Sequence, residues 1–272
     1  MKPEVIASVA DALMAAESHG SMLAPVTEWL PGFDVASAYA VLDVIEARRR
    51  AAGWVPVGRK IGFTNRTIWP RYGVDRPMWA HTWRQTVHHA HAGRARLDIS
   101  RFVQPRIEPE IVFGMAGPAP ATDDPEAILR SVAWIAAGFE IVQSHFPHWK
   151  FKVPDCTAAF GLHAALVVWT PVAVTDACRA VLAQRLPVFE VTLRQGNGIL
   201  ERGVGANVLG SPALALAHLA RVLEAQPTAP PLMAGEIVTT GTITDAWPVA
   251  RGDVFSSDYG DLGVPGLELT LT

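Results

Sequence analysis

The stretch RIEPEIVFG, Arg106 to Gly114, is apolar enough for a buried strand, yet it holds two glutamates and a proline. Side chains alternate across a strand, so Arg106, Glu108, Glu110 and Val112 share one face while Ile107, Ile111 and Phe113 share the other. Two carboxylates at neighbouring positions of one face repel each other and resist burial. Either that face is solvated or something positive sits between the acids. A hard divalent cation suits the second case, because Mg²⁺ takes carboxylate oxygens and keeps several waters. Pro109 removes one ladder donor and marks an edge or a bulge, a backbone feature that favours sites. Glu140 is a further acid in an apolar run, GFEIVQS.

Other candidates lie outside these two strands. Lys60 stands between Gly58 and Gly62 in VGRKIGFTN, where glycines permit close approach of a ligand. A partly buried lysine there acts as a base or holds a carboxylate; the alternative is a snorkelling surface lysine. The segment HFPHWKFKVPDCTAAFG comes directly after the Glu140 strand and reads as a lid carrying His145, His148, Lys150, Lys152 and Asp155. His88, His89 and His91 match no zinc spacing and read as an exposed loop. In TTGTIT, the turn around Gly241 and Thr242 offers donors to an anion, although threonine is also an ordinary strand residue.

These residues need elements to position them. Ile6, Val9, Ala10, Leu13 and Met14 recur at helical spacing, and Asp34 caps a second helix ending before Gly53. Strands are expected at Val55 to Ile61, Arg106 to Phe113, Phe139 to Gln143, His163 to Val168, Val188 to Arg194, Ile199 to Val204, Glu236 to Thr240, Asp253 to Tyr259 and Leu267 to Leu271. RQGNGI makes Val188 to Val204 a hairpin. A helix is expected from Asp123-Asp124-Pro125-Glu126 towards Ala137, and another from Ser211-Pro212. Helices and strands do not alternate regularly, so the class is α+β, with a helical piece at 1–53 and a strand-rich body at 54–272.

The 272 residues are 50% hydrophobic, with a net charge of −3 and no long basic block, which argues against a nucleic-acid partner. Arg48 to Arg50 fall near a helix end, where cations suit the dipole. Two cysteines, Cys156 and Cys178, fit a reducing compartment. No signal peptide is expected, and no stretch approaching the ~18 apolar residues of a membrane span. The expectation is a cytoplasmic protein.

The pieces GRKIGFTNRTIWPRYGVDRP, QPRIEPEIVFG, GFEIVQSHFPHWKF, GVGANVLGSPALALAHLARVL and LMAGEIVTTGTIT...VARGDVFSSDYGDLG, taken in order, resemble the fumarylacetoacetate hydrolase superfamily. The branch is that of 2-oxopent-4-enoate hydratases and 4-oxalocrotonate decarboxylases. The resemblance implies a mixed β-roll with flanking helices and Mg²⁺ or Mn²⁺ held by Glu108, Glu110 and Glu140. It implies that Lys60 touches the substrate or moves protons, and that Gly241 and Thr242 contact its carboxylate end. The implied activity is hydration of a 2-hydroxydienoate or 2-oxo-4-enoate in catabolism of aromatic or related cyclic compounds, through a metal-bound enolate. His148 or Lys150 would orient the water, and Trp69, Trp79 and Phe160 would shape the tail pocket or simply pack the core. Decarboxylation, C–C hydrolysis of an acylpyruvate, and a non-catalytic keto-acid binder or partner subunit are the alternatives. A small 2-oxo carboxylic acid, a homo-oligomer and a decarboxylase partner are expected. The chain departs from the branch in two places. Met78 and Trp79 come after Pro77 where the hydratases place an acid, and CTAAFGLH replaces a polar stretch after the lid's PD, so the proton-transfer set is expected to differ while binding is kept.

Overall fold

The computed structural model describes residues 1–66, 69, 74, 76–226 and 228–272. Part of the GRKIGFTNRTIWPRYGVDRP piece, residues 67, 68, 70–73 and 75, lies outside them.

The helices are α1 Pro3–His19, α2 Val26–Trp29, α3 Val35–Ala51, α4 Pro125–Leu129, α5 Val153–Ala158, α6 Asp176–Arg185 and α7 Pro212–Glu224. The strands begin with β1 Pro56–Gly62, β2 Met78–Trp83, β3 Val87–His89, β4 Arg94–Leu97, β5 Arg106–Met115, β6 Val132–Val142 and β7 His163–Val168. They continue with β8 Val172–Ala173, β9 Glu190–Gln195, β10 Gly198–Val204, β11 Ile237–Thr239, β12 Trp247–Pro248, β13 Val254–Asp258 and β14 Glu268–Leu271. One sheet runs β2-β1-β11-β5-β6-β7-β3, with β12 on β5 and β8 on β6; the other runs β10-β9-β13-β14-β4. β1/β11, β3/β7 and β4/β14 are parallel and the remaining pairs antiparallel, giving the mixed, curled sheets of an α+β roll. The hairpin expected from RQGNGI is β9–β10.

The helix expected from Asp123 towards Ala137 is corrected. α4 stops at Leu129, and Val132 to Val142 form β6, the longest strand, paired along its length with β5. The β-branched and aromatic content of VAWIAAGFEIV, paired along β5, overrides the helical start signal. His88 and His89 are corrected too: they lie exposed on the edge strand β3, paired with β7. Gly205–Glu224 has the length and apolar content of a membrane span, contrary to expectation. Its side chains are spent on the protein's own core, where Ala213, Leu216, Ala217 and Leu219 are buried.

Asp34 accepts from Ser37 N at 2.8 Å and caps α3, as its position predicts. The helical piece shares its core with the lid: Val9, Leu13, Val41 and Ile45 pack with Phe146, Ala158 and Phe160. Arg49, of the basic run at the end of α3, is buried there. It donates to Glu17 at 2.6 Å and lies 4.5 Å from the ring centroids of both Trp54 and Phe160. Asp155, a lid candidate for chemistry, is structural. Its fully buried carboxylate accepts from Thr27 N, Thr27 Oγ1 and Lys152 N, each at 2.8 Å, and so pins α2 to the start of α5.

Asp155→Ala leaves three donors without their acceptor and is expected to cost about 2–4 kcal/mol of folding stability, read as a lower denaturation midpoint at unchanged m-value. Thr27→Val, which removes one of those donors, is expected to cost about 1 kcal/mol.

Candidate active site

β5 and β6 pair so that Glu108 stands opposite Glu140 and Glu110 opposite Gly138. Directly opposed residues point to the same face, so all three acids share one face of the sheet. Ile107, Ile111 and Phe113 enter the main core behind it. One carboxylate oxygen from each acid lies within 4.8 Å of the others, with Glu110 and Glu140 fully buried. β11 ends at Thr239, which pairs with Lys60 on one side and Val112 on the other. Beyond it the chain leaves the sheet and a cavity of about 240 Å³ opens, lined by Lys60, Glu108, Gly241 and Thr242 among others.

The acids are held by local bonds. Gly241 N donates to Glu110 Oε2 at 2.7 Å. Gly241 has φ +96°, and a Cβ there would stand 1.9 Å from Thr64 Oγ1, so this close approach requires glycine. The Tyr259 hydroxyl reaches from the end of β13 to donate to the backbone oxygens of Glu110 (2.9 Å) and Gly138 (3.3 Å), bracing the β5–β6 pair from behind. Glu140 Oε1 is 2.7 Å from His163 Nδ1, and its Oε2 is 3.3 Å from Lys60 Nζ. Lys60 is buried and also donates to Gly161 O at 3.0 Å.

Burial and then the neighbouring acids push Glu110 well above the carboxylate range, and burial raises Glu108 to about 7 despite Lys60 nearby. Burial acts on Glu140 in the same direction, but Lys60 and His163 outweigh it and hold it at about 2. Desolvation opposes charge on Lys60, and the three acids overcome it, raising its pKa. The acids around Lys60 thus favour its ammonium form, which suits holding a negative charge.

The cluster fits a divalent cation. Glu110 Oε1 and Glu140 Oε2 are buried without a hydrogen-bond partner, an arrangement that native structures avoid unless a missing group satisfies it. Oxygen-only donors at this spacing match a hard ion.

The lid differs from expectation. His148 and Lys150 point outward and are exposed, and neither lines the cavity; Trp149 and Phe151 do. Positive φ at His148 (56°) and Trp149 (57°) cranks the backbone. Trp149 Nε1 then donates to Gln104 O at 3.1 Å, and Arg106 lies 4.2 Å from its ring centroid. Trp79 is also corrected: on β2 its neighbour Met78 faces the cavity, so alternation turns Trp79 to the opposite face. There it donates to Gln226 Oε1 at 2.9 Å and stacks on Tyr39. Phe160 belongs to the helical core, and Trp69 Nε1 donates to Phe63 O at 2.8 Å outside the cavity lining. The apolar wall comes instead from Met78, Val142 and Leu162, with Phe63, Trp149 and Phe151. Gly241, Thr242, Lys60 and the three acids converge as a set. Sequence reasoning missed His163 and Tyr259, whose only signals are a polar start to the apolar run HAALVV and a tyrosine after SSD.

The profile of the fumarylacetoacetate (FAA) hydrolase C-terminal family matches residues 76–266. The chain belongs to the fumarylacetoacetate hydrolase family. Within that family it is 29% identical to a 2-keto-4-pentenoate hydratase of Burkholderia vietnamiensis over 260 residues, 95% of each chain. It is 28% identical to a 2-hydroxyhexa-2,4-dienoate hydratase of Comamonas testosteroni over 252 residues, 91% of each. Among solved structures, the 4-oxalocrotonate decarboxylase of Pseudomonas putida G7 complexed with magnesium and adipate superposes with a TM-score of 0.90. That pair shares 24% identity and covers 100% of this chain and 99% of the other, which shows the common fold.

A cation entering this family site must displace protons from Glu108 and Glu110, both raised. Mg²⁺ affinity of the metal-stripped protein is therefore expected to tighten as pH rises towards and through about 7, with proton release on binding. Calorimetry in buffers of different ionisation enthalpy measures both. Without metal, the raised acids favour folding at low pH, and that contribution is lost as pH climbs from the unfolded value of about 4.3 through the folded ones. The metal-free unfolding midpoint is expected to fall over that range, and Mg²⁺ to restore it.

Proposed function

We propose that this protein is a cytoplasmic hydro-lyase that adds water to a 2-hydroxydienoate or 2-oxo-4-enoate, assisted by Mg²⁺ or Mn²⁺. The observation that carries the reading is the convergence of Glu108, Glu110 and Glu140 with Lys60 in one cluster, of which Lys60 and Glu108 line the cavity and two of the acids keep unpartnered oxygens. The hydratase relatives, aligned over more than nine-tenths of the chain, support it.

Glu108, Glu110 and Glu140 hold the cation, which when bound supplies Lewis acidity towards a 2-oxo acid. Lys60, a buried ammonium, neutralises negative charge that develops on the substrate oxygens, and it is already in place before substrate arrives. The Gly241–Thr242 turn holds Glu110 through the Gly241 N–H and lines the cavity, with the Thr242 hydroxyl donating to Thr244 O at 2.9 Å; the substrate's carboxylate end is assigned to this turn. Trp149 and Phe151 of the lid, with Met78, Val142 and Leu162, exclude water from the tail end.

One observation favours a second reading. Met78 stands in the cavity wall where the hydratase pattern places an acid, so this position cannot give or take a proton. Decarboxylation or C–C hydrolysis of a related 2-oxo or acylpyruvate-type acid keeps every other part of the site. Small 2-oxo acids are the ligands in either case, and a homo-oligomer or a decarboxylase partner is part of the proposal.

Assay of a 2-hydroxydienoate, a 4-oxalocrotonate and an acylpyruvate with Mg²⁺ separates these readings. Turnover of the dienoate is expected; a silent dienoate beside an active cleavage assay would reverse the ranking. Lys60→Met keeps the stem without the charge and is expected to lower kcat by about 10²–10³-fold. If Glu140→Gln leaves both Mg²⁺ affinity and turnover intact, the metal assignment is wrong.

A further inference from the structure

We propose that His163 is a positioning residue for the metal site, fixing Glu140 so that only its Oε2 is presented to a cation. The inference rests on the metal reading above and extends it to a side chain outside the acidic triad.

The backbone is built to bring this histidine there. β6 and β7 pair Glu140 with Leu166 and Ile141 with Ala165, and then the register shifts, so that Val142 pairs with His163 rather than Ala164. In an unbroken ladder Ala164 would share the Glu140 face and His163 would point to the other side. The bulge leaves one residue unpaired and turns His163 onto the Glu140 face. The imidazole is buried there, with Nδ1 2.7 Å from Glu140 Oε1 and Nε2 2.8 Å from Thr86 Oγ1.

The partners determine the hydrogen positions. An ionised carboxylate only accepts, so the short contact places a hydrogen on Nδ1. Thr86 is itself held in the β2–β3 connection by Trp83: its hydroxyl lies 3.1 Å from Trp83 O and accepts from Trp83 N at 3.3 Å. The ring is thus gripped at both nitrogens, whichever group holds the second hydrogen. With Oε1 occupied, the remaining oxygen of Glu140 is the one beside Lys60 that has no hydrogen-bond partner. Fixing a ligand's free oxygen through a bonded neighbour is how outer partners tune metal affinity.

The test uses metal-stripped protein titrated with Mn²⁺ and monitored by electron paramagnetic resonance. His163→Leu is expected to weaken Mn²⁺ binding about 10–100-fold. His163→Asn keeps an N–H near the Nδ1 position and is expected to recover affinity to within about fivefold of wild type. Thr86→Val frees the far nitrogen and is expected to cost about fivefold. Nitrogen-15 NMR of the ring, assigned by its loss in the His163→Asn protein, is expected to show a protonated Nδ1. A folded His163→Leu protein that binds Mn²⁺ like wild type overturns the proposal. Should that variant not fold, wild-type affinity in Thr86→Val or a bare Nδ1 overturns it equally. Wild-type protein that binds no Mn²⁺ fails the metal reading itself, and this role with it.

Discussion

Three carboxylates and one ammonium on the same face of a sheet are the constraint around which this protein is organised. Acids this close cannot all be ionised and buried without compensation, and one lysine balances only one of them. The surroundings divide the burden. Lys60 and His163 keep Glu140 ionised. Gly241 N–H stabilises one oxygen of Glu110, while its other oxygen stays bare. A cluster of this kind is poised to take up positive charge, because burial raises Glu108 and Glu110 against ionisation.

Rigidity is what makes that poise useful. The acids sit on the two longest strands, braced by the Tyr259 hydroxyl from the second sheet, with Ile107, Ile111 and Phe113 locked in the core behind them. Sites built on strands hold their geometry better than sites on loops. The opposite wall is built differently, with Trp149 and Phe151 carried on a cranked turn. That turn is tied back through Gln104, whose amide donates to Ser144 O and Phe146 O. The N-terminal helices support this lid: they bury Phe146 and Phe160 in their own core, and Asp155 and Arg49 fasten it at two polar points. The helical piece therefore acts on the site through the segment it holds, and contributes no acid to the cluster.

Much of this was legible in the chain. The period-2 pattern of RIEPEIVFG assigned Glu108 and Glu110 to one face and their apolar neighbours to the core, because alternation is a property of the strand itself. Asp34 and Ser211 announced their helices through capping chemistry, which is equally local. The same locality explains the failures. Asp124-Pro125 does start a helix, but the state of residues 132–142 is decided by pairing with β5, an element distant in the chain. Some side chains expected to face the cavity were the wrong members of their pairs: Met78 lines it rather than Trp79, expected to shape the pocket, and Trp149 and Phe151 line it rather than His148 and Lys150, expected to orient the water. In each case one backbone crank or one step of strand phase decides which neighbour faces the cavity.

By itself the sequence determined the set of candidate groups: carboxylates in apolar strands, a lysine between glycines, and a glycine–threonine turn, in the order of one family. Their convergence was decided by tertiary structure. Lys60 meets Glu140 across three strand positions of a mixed sheet, and Gly241 reaches Glu110 because β11 ends where the cavity begins. His163 joins them only because the β6–β7 ladder skips a residue. Long-range register is set by how whole faces pack, and it leaves no mark in the few residues that it brings together.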